Sequence, residues 1–458
     1  MSRRWWRVGW RQDEFARLVL LAVGVRLLLV PLTHTWDGQT WANVFAELAR
    51  SGNPLDAIHQ PYETMRELSL LTAAAGRHTD FYEYWAYPPL QLYVYWPLAH
   101  LYTFLGGRLD PSFVVQPAMI APSLSAGLLL LIHTPNIVAD VAALYLMRAL
   151  GVSLVNLRRY AFNPLVLLVG IWTFDAVMVA FLLLGLYWAE RGRPTLSGVA
   201  IALGAATKFV PLVALPVVLL STLDSTLPLR RRVAQCVITL LTCLGVLALV
   251  VWPVVDGVVY VVQFQLQRFG AGLSLAQTPT TLAGPNGDWR PPVDAYASAE
   301  LGGLVLPLTL LAGSYLVVRW RLSVNSAFFV LVLAFLAGAK VVNEPYALSA
   351  LALGTIELDR RPTSTLEAGY LLLWLAPFAY AMLNTPAWAF LLSGLQWAAP
   401  TLTAGIDMWL HAYRTFRSLP EARWPYTLIT VAFDVGICTA VWSVLRSASA
   451  FRTVQARG

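Results

Sequence analysis

The sequence predicts an all-α protein that crosses a lipid membrane many times, and two observations carry this prediction. The chain has 458 residues, of which 58% are hydrophobic and only 12% are charged, and its mean hydropathy is +0.61. A soluble globular protein carries about 25% charged residues. Apolar stretches of about 17–22 residues recur from end to end, near the length that crosses a bilayer as a helix. We therefore expect one polytopic domain over residues 1–458, with about 13 spans (about 11–15).

The arginines predict the topology. Positively charged residues beside span ends stay on the cytoplasmic side, and four arginines stand among the first 11 residues. The N-terminus is therefore expected inside, and nearly every later arginine group falls inside under the same alternation of spans. The exception is the tail, where a last span at about 424–445 would leave Arg446, Arg452 and Arg457 outside. Two long segments are then left outside the membrane: external loop 1, about residues 33–88, and external loop 2, about residues 254–300.

The spans follow from the apolar runs between these loops, and several are short enough to be partial or tilted helices. In chain order they cover residues 15–32, 90–105, a run ending near 132, a run beginning near 136, 161–171, 176–189, 195–207, 209–222, 233–253, 301–318, 323–339, a short run before 360, an out-and-back pair over 366–403, and 424–445.

The composition also excludes several classes of function. Cys236, Cys243 and Cys438 lie in predicted spans without CxxC spacing, and the histidines show no HxxH spacing, so no zinc site is predicted. No P-loop or GxGxxG motif appears, and we expect no cofactor, although a divalent metal stays open. The net charge of +7 is spread over loops rather than one face, which argues against a nucleic-acid partner.

Polar side chains gather at the predicted external ends of the spans. Ionisable groups at membrane depth cost a few kcal/mol each and usually face a cavity or a partner. Their concentration on one face therefore predicts a functional site there. The residues concerned are Asp37, Asn136, Asp140, Asp175, Lys208, Lys340, Asn343 and Glu344.

The two lysines sharpen this prediction. Of 32 basic residues only Lys208 and Lys340 are lysine, and both fall at predicted external turns. An ammonium group is a compact charge suited to a phosphate. A lysine that snorkels to the membrane interface would occupy the same place, so both interpretations stay open.

Two residues of external loop 1 attract notice. Asp37 stands between Trp36 and Trp41 just after the first apolar run, where it serves either as a reactive carboxylate or as a cap of the amphipathic stretch 40–50. Tyr87 precedes two prolines, which fix the start of the following helix and hold the tyrosine at the membrane surface.

Several motifs then follow one another in a recognisable order. Asp37 is followed by Gly-Asn-Pro at residues 52–54 and by Tyr-Pro-Pro-Leu at residues 87–90. Four further stretches are NIVADVAALYLMRALG (136–151), AFNPLVLLVGIWTFDAVMVAFLLLGLYWAERGR (161–193), GVAIALGAATKFVPLVALPVVLL (198–220) and KVVNEPYALSALAL (340–353). Together they resemble the GT-C superfamily of integral-membrane glycosyltransferases, and look most similar to the mannosyltransferases of bacteria and archaea that use polyprenol-phosphate mannose.

The resemblance implies a GT-C-like helical bundle and an inverting glycosyltransferase. The enzyme would move a hexose, mannose by this likeness, from a polyprenyl-phosphate donor to a glycolipid, glycan or glycoprotein acceptor at the external face of the cell membrane. Asp37 would be the general base, with Lys208 and then Arg268 as candidates to bind the donor phosphate. The residues implied to contact or support the substrates are Tyr87, Asp140, Asp175, Lys340, Asn343, Glu344 and Tyr346.

Two departures from the family pattern leave the sugar and the acceptor open. Lys208 is followed by Phe209 rather than by proline, and Glu344-Pro345 stands where many relatives have Ser-Pro-Gln or Glu-Gln. The alternative function is a proton- or cation-coupled secondary transporter or a lipid-linked-sugar flippase, in which the acids would relay protons or coordinate cations. A transferase makes a new glycosidic bond, whereas a transporter moves its substrate unchanged.

Overall fold

The computed structural model describes eight segments of the chain, and α-helix dominates all of them except residues 271–274, which carry a short strand. The described residues are 3–30, 36–74, 84–109, 125–223, 227–267, 271–274, 299–384 and 423–455. The helices are α1 (Arg3–Leu29), α2 (Trp36–Arg50), α3 (Pro54–Ala74), α4 (Leu90–Phe104), α5 (Ala126–Ala149), α6 (Leu154–Ala161), α7 (Pro164–Trp172), α8 (Asp175–Glu190), α9 (Pro194–Ala205), α10 (Leu215–Leu223), α11 (Leu229–Val251), α12 (Val255–Gln267), α13 (Ala299–Trp320), α14 (Val324–Gly338), α15 (Ala347–Arg360), α16 (Ser364–Asn384) and α17 (Arg423–Gln455).

Short elements join some of these helices. Two-residue strands, β1 (Ala271–Gly272) and β2 (Val341–Val342), pair in parallel. Three short 3₁₀ helices connect longer elements in the described part of the chain: Val210–Ala214, Trp252–Val254 and Glu344–Tyr346.

Within the described residues, five helices are long and apolar enough to cross a membrane. They are Ala126–Ala149, Leu229–Leu266, Gly303–Trp320, Ser364–Leu383 and Trp424–Ser449. A sixth span arises if α7 and α8, which meet at 113°, are taken as one broken helix. The chain is therefore an all-α protein with several helices fit for a membrane, and the larger count of about 13 spans stays a prediction.

One predicted boundary is wrong, and the side of the membrane on which residues 254–267 lie stays a prediction. Helix α5 runs without a break through Pro135, so the turn expected at residues 133–135 is absent and Asp140 lies inside a helix rather than near its start. A proline is tolerated inside a membrane helix where neighbouring groups satisfy the freed backbone. Helix α11 continues through a 3₁₀ turn into α12, so the chain stays helical to Gln267, well past the expected start of external loop 2.

External loop 1 is itself largely helical. The amphipathic stretch 40–50 forms α2, which begins earlier than expected, at Trp36. Helix α2 packs on α3 and α4, and these helices share a second hydrophobic core rich in aromatic residues. Among its buried members are Trp41, Phe45, Trp85 and Tyr95.

The main core lies where α8, α14 and α15 pack together. Its buried residues include Leu182, Leu183, Phe328, Phe329 and Leu351. Between membrane helices, close packing and polar contacts replace the hydrophobic effect as the source of association, because lipid chains are as apolar as leucine. One such polar contact joins α9 to α8, where the Ser197 hydroxyl donates to the Gly185 carbonyl oxygen at 2.7 Å.

The break between α7 and α8 positions the candidate site. The Asn163 side chain accepts from the Leu165 amide at 3.0 Å and Pro164 occupies the first turn, so α7 begins with a standard cap. Helix α7 ends at Trp172, and Asp175 opens α8 with its side chain fully buried. The sharp bend therefore brings a carboxylate into the interior at a helix N-terminus.

Candidate functional site

A buried ion pair between Lys208 and Asp175 is the centre of the candidate site. The Lys208 Nζ atom donates to both carboxylate oxygens of Asp175, at 2.8 and 2.7 Å. The side chains are 6% and 0% exposed. Because removing one partner of such a pair leaves an uncompensated charge in a low dielectric, the two residues depend on each other.

The local backbone structure determines the positions of both Lys208 and Asp175. The chain leaves α9 at Ala205, and the Thr207 hydroxyl and the Lys208 amide both donate to the Gly204 carbonyl oxygen, at 2.6 and 3.0 Å. A 3₁₀ helix follows at Val210–Ala214, so Lys208 lies in the turn between two helices. Asp175 stands at the N-terminus of α8, where the helix dipole favours a negative charge by about 0.3–1 kcal/mol.

Three aromatic rings surround the Lys208 ammonium. Its Nζ atom lies 4.5 Å from the ring centroid of Tyr346, 5.3 Å from that of Tyr87 and 5.6 Å from that of Phe174. A cation within about 6 Å of an aromatic face is attracted by the ring quadrupole. The pair is thus held between a carboxylate on one side and aromatic rings on others.

The Tyr-Pro-Pro-Leu segment is fixed to this centre through its backbone. The Leu90 amide donates to the Ala206 carbonyl oxygen at 2.9 Å, two residues before Lys208. The Tyr62 hydroxyl donates to the Tyr87 carbonyl oxygen at 2.8 Å, and the Gln265 side chain donates to the Ala86 carbonyl oxygen at 3.3 Å. Helices α3 and α12 therefore both hold the segment that carries Tyr87.

Tyr346 reaches the centre from the turn that follows β2. Asn343 and Glu344 lie half-buried in this turn, and the Tyr346 amide donates to the Asn343 carbonyl oxygen at 3.1 Å. Lys340 points elsewhere, because its Nζ atom donates to the Leu266 carbonyl oxygen of α12 at 3.1 Å. The structure thus brings together Tyr87, Asp175, Lys208 and Tyr346 of the predicted set, and sets Lys340 apart.

Asp140 is held in a different place. It forms a buried ion pair with Arg26 of α1, and Arg26 also donates to the carbonyl oxygens of Ala22 and Ala161, at 3.0 and 3.1 Å. The contacts of Asp140 therefore join helices rather than reach the Lys208 centre. Arg26 was not among the predicted residues, although an arginine within the apolar run of residues 15–32 is a signal for a buried partner.

Two predicted residues cannot be placed relative to this centre. Asp37 lies in the first turn of α2, but its side chain is outside the described residues. Arg268 also lies outside the described residues. Their predicted roles, general base and phosphate binding, stay predictions.

Phe174 is a residue that the sequence reasoning missed. Its buried ring lies 4.7 Å from Tyr87, 5.8 Å from Trp85 and 5.9 Å from Trp41, measured between ring centroids. It joins the second hydrophobic core to the Lys208 centre. The one sequence feature that could have singled out Phe174 is its position directly before Asp175.

One titratable group outside the predicted set lies on α2, the helix that carries Asp37. The Thr64 hydroxyl of α3 donates to Glu47 Oε1 at 2.8 Å. Burial raises the pKa of Glu47 from its ordinary value of 4.5 to about 7, against the opposing effect of the hydrogen bonds it accepts. This carboxylic acid therefore titrates near neutral pH.

The described part of the chain shows no cluster of side chains suited to a metal ion. No group of three or more His, Cys, Asp or Glu side chains there has a spacing that would hold a metal ion. The three cysteines are free thiols. What the site offers is a cation, an acid and aromatic rings.

Comparison with known proteins identifies no family for this chain. No protein-family model matches the sequence, and no curated protein matches it at a significant level. The likeness to GT-C glycosyltransferases therefore rests on the sequence motifs and stays a prediction.

Proposed function

We propose that the protein is an inverting glycosyltransferase of the GT-C kind. It transfers a hexose, mannose by the resemblance, from a polyprenyl-phosphate donor to a glycolipid, glycan or glycoprotein acceptor at the external face of the membrane. One observation carries the proposal: three segments that resembled the family contribute Asp175, Lys208 and Tyr346 to one buried centre, and the Tyr-Pro-Pro-Leu motif adds Tyr87.

In the proposed reaction the acceptor oxygen attacks the anomeric carbon of the sugar. The bond from that carbon to the phosphate oxygen breaks on the opposite side, so the configuration inverts and polyprenyl phosphate leaves. Asp37 takes the proton of the acceptor hydroxyl. Holding the two substrates in line supplies several kcal/mol of the barrier reduction, and a placed base adds about 10²–10⁴-fold in rate.

The Lys208–Asp175 pair suggests how Lys208 would bind the donor phosphate. The Lys208 Nζ atom donates to both carboxylate oxygens of Asp175, at 2.8 and 2.7 Å. A donor phosphate would share this ammonium with Asp175 rather than meet an isolated cation. Asp175 then positions the lysine, whose ammonium lies beside the rings of Tyr87 and Tyr346.

The test compares purified wild type with Asp37→Asn, offering each radiolabelled polyprenyl-phosphate mannose and a membrane lipid extract. A matched control is Asp256→Asn, the same chemical change at an exposed residue in the first turn of α12. We expect wild type and the control to form a labelled product and Asp37→Asn to lose about 10²–10⁴-fold in rate. Thermal unfolding confirms that all three proteins are folded.

The outcomes separate the candidate functions. Equal activity of Asp37→Asn and wild type would remove Asp37 as the base and leave it as a residue of the first turn of α2. Movement of the labelled donor across proteoliposomes, without any covalent product, would favour the transporter or flippase and overturn the transferase.

A further inference from the structure

The only described β-pairing in the chain joins the end of the α12 region to the turn that carries Tyr346. Strand β1 pairs in parallel with β2, with Ala271 opposite Val341 and Gly272 opposite Val342. The Leu273 amide extends the pairing by donating to the Val342 carbonyl oxygen at 2.7 Å. Leu273 and Ser274 are fully buried, so this stretch is packed into the molecule.

The pairing requires glycine at position 272. Gly272 has φ +73°, a conformation that side chains with a Cβ rarely adopt. A Cβ atom placed there would lie 2.1 Å from the Val342 carbonyl oxygen and 2.7 Å from its carbonyl carbon. Both atoms belong to the backbone of β2, so the clash is relieved only if a strand itself moves. A larger residue at 272 must therefore push the two strands apart.

A side-chain hydrogen bond also joins the two segments, shortly before β1 and directly before β2 in the chain. The Lys340 Nζ atom donates to the Leu266 carbonyl oxygen, in the last turn of α12. A cation at the C-terminal end of a helix also interacts favourably with the helix dipole. The segment 340–342 is thus attached to the α12 region at two points, through a side chain at Lys340 and through the backbone at Val342.

Tyr346 lies four residues after Val342, at the end of the 3₁₀ helix Glu344–Tyr346. The Tyr346 amide donates to the Asn343 carbonyl oxygen at 3.1 Å, and the Ser349 hydroxyl donates to the Tyr346 carbonyl oxygen at 2.7 Å. A displacement of β2 therefore passes into the position of the Tyr346 ring, which lies 4.5 Å from the Lys208 ammonium.

We propose that the β1–β2 pair and the Lys340–Leu266 bond form a clamp that sets the Tyr346 ring against Lys208, and that Gly272 and Lys340 are positioning residues for the reaction. The inference rests on the proposed function for its activity readout, and it gives the substrate-supporting role expected for Lys340 a specific form. It assigns that lysine a helix carbonyl as its partner.

The test variant is Gly272→Ala, and the matched control is Gly151→Ala. Gly151 also has a positive φ, +93°, but a Cβ there would meet nothing within 4 Å. Both substitutions carry backbone strain, and only the first forces the strands apart. Two readouts are taken on the full chain: hydrogen exchange of peptides covering residues 340–350, and kcat and KM for transfer from polyprenyl-phosphate mannose.

We expect Gly272→Ala to speed exchange in residues 340–350 and to lower kcat by about 10- to 100-fold, since a misplacement of about 1 Å can cost 10²-fold. KM for the donor should change much less, and Gly151→Ala should leave both readouts unchanged. In a Tyr346→Ala background, Gly272→Ala should cause no further loss of kcat, because both changes act on the same contact.

A second variant keeps the proposal testable if Gly272→Ala fails to fold. Lys340→Met removes the Lys340–Leu266 bond without adding a clash, and it should raise exchange in the same peptides with a smaller loss of kcat. Unchanged exchange in both variants, or a loss of kcat that adds in full to that of Tyr346→Ala, would overturn the clamp. Absence of transferase activity in the wild type would overturn the proposed function. The hydrogen-exchange readout alone would then test whether the clamp exists.

Discussion

Two buried ion pairs in this protein share the same charge chemistry and differ in what surrounds them. Lys208 pairs with Asp175, and Arg26 pairs with Asp140. All four side chains are at most 7% exposed. Arg26 and Asp140 lie on helices far apart in the chain, and Lys208 is 33 residues from Asp175, so neither pair follows from local sequence.

The surroundings indicate different roles for the two pairs. The Arg26 guanidinium donates to two backbone carbonyl oxygens besides its acid, at 3.0 and 3.1 Å, and is enclosed by helices. The Lys208 ammonium instead faces aromatic rings, two of which, Tyr87 and Phe174, lie outside helices. A charge enclosed by helix carbonyls stabilises packing. Lys208 lies instead among residues of the motifs on which the proposed function rests, and this difference separates the structural pair from the candidate site.

The largest expected effect comes from breaking the structural pair. Arg26→Met leaves Asp140 as a buried, uncompensated charge, so the free energy of unfolding should fall by about 3–5 kcal/mol. The activity of the molecules that remain folded should stay close to that of wild type. Thermal unfolding in detergent and transfer rate per folded molecule measure the two quantities. Arg17→Met, an exposed arginine of the same helix, should change neither, and an equal loss there would remove the pair as the cause.

Replacing both members of each pair by apolar residues sharpens the comparison. Lys208→Met with Asp175→Leu, and Arg26→Met with Asp140→Leu, should both recover most of the lost stability, because a buried pair and apolar residues of similar volume are often nearly equivalent. Activity should return only for the second double variant. The first should stay about 10²–10³-fold below wild type, the usual cost of losing one preorganised donor. Equal recovery of activity by both would contradict the distinction drawn here.

Lys208→Arg should have a smaller effect. The positive charge and its pairing with Asp175 persist, but a planar guanidinium does not fit the place of a compact ammonium between three rings. We expect about a 10-fold loss of transfer rate with little change in the unfolding midpoint. Arg26→Lys is the reciprocal variant, and it should lose stability by about 1–3 kcal/mol through its unsatisfied carbonyl oxygens while keeping activity.

The smallest expected effect concerns pH and the helix that carries Asp37. The pKa of Glu47 is raised to about 7, so the folded protein binds this proton more tightly than the unfolded chain. Stability should therefore fall as the pH rises from about 4.5 to 7, by on the order of 1–3 kcal/mol, and change little above that. Unfolding midpoints at pH 5 and pH 8 measure the change. Glu47→Gln should flatten this dependence, whereas Glu63→Gln, at an exposed residue of α3, should keep it.

Much of the local structure was predictable because it depends on neighbours in the chain. The helices at residues 176–189 and 323–339 appear as α8 and α14 within a few residues of their expected bounds. The amphipathic stretch in external loop 1 is likewise a helix. An error arose at Pro135, where the chain continues as a helix because a membrane helix tolerates a proline when neighbouring groups satisfy the freed backbone.

The candidate site was predictable only in part. The motifs singled out Tyr87, Asp175, Lys208 and Tyr346 one by one, and the structure places them together. Phe174 was missed because a phenylalanine in an apolar run carries no signal of its own. The roles of Asp37 and Arg268 stay predictions.

By itself, the sequence determined the membrane class of this protein and the approximate bounds of many helices, because hydropathy, arginine placement and proline and asparagine caps act within a few residues. Only the tertiary structure decided which acid each buried cation meets. Lys208 and Arg26 each had several acids available in the sequence. A charge in a low-dielectric interior pairs with the opposite charge that helix packing brings within about 3 Å, and that distance depends on contacts between segments far apart in the chain.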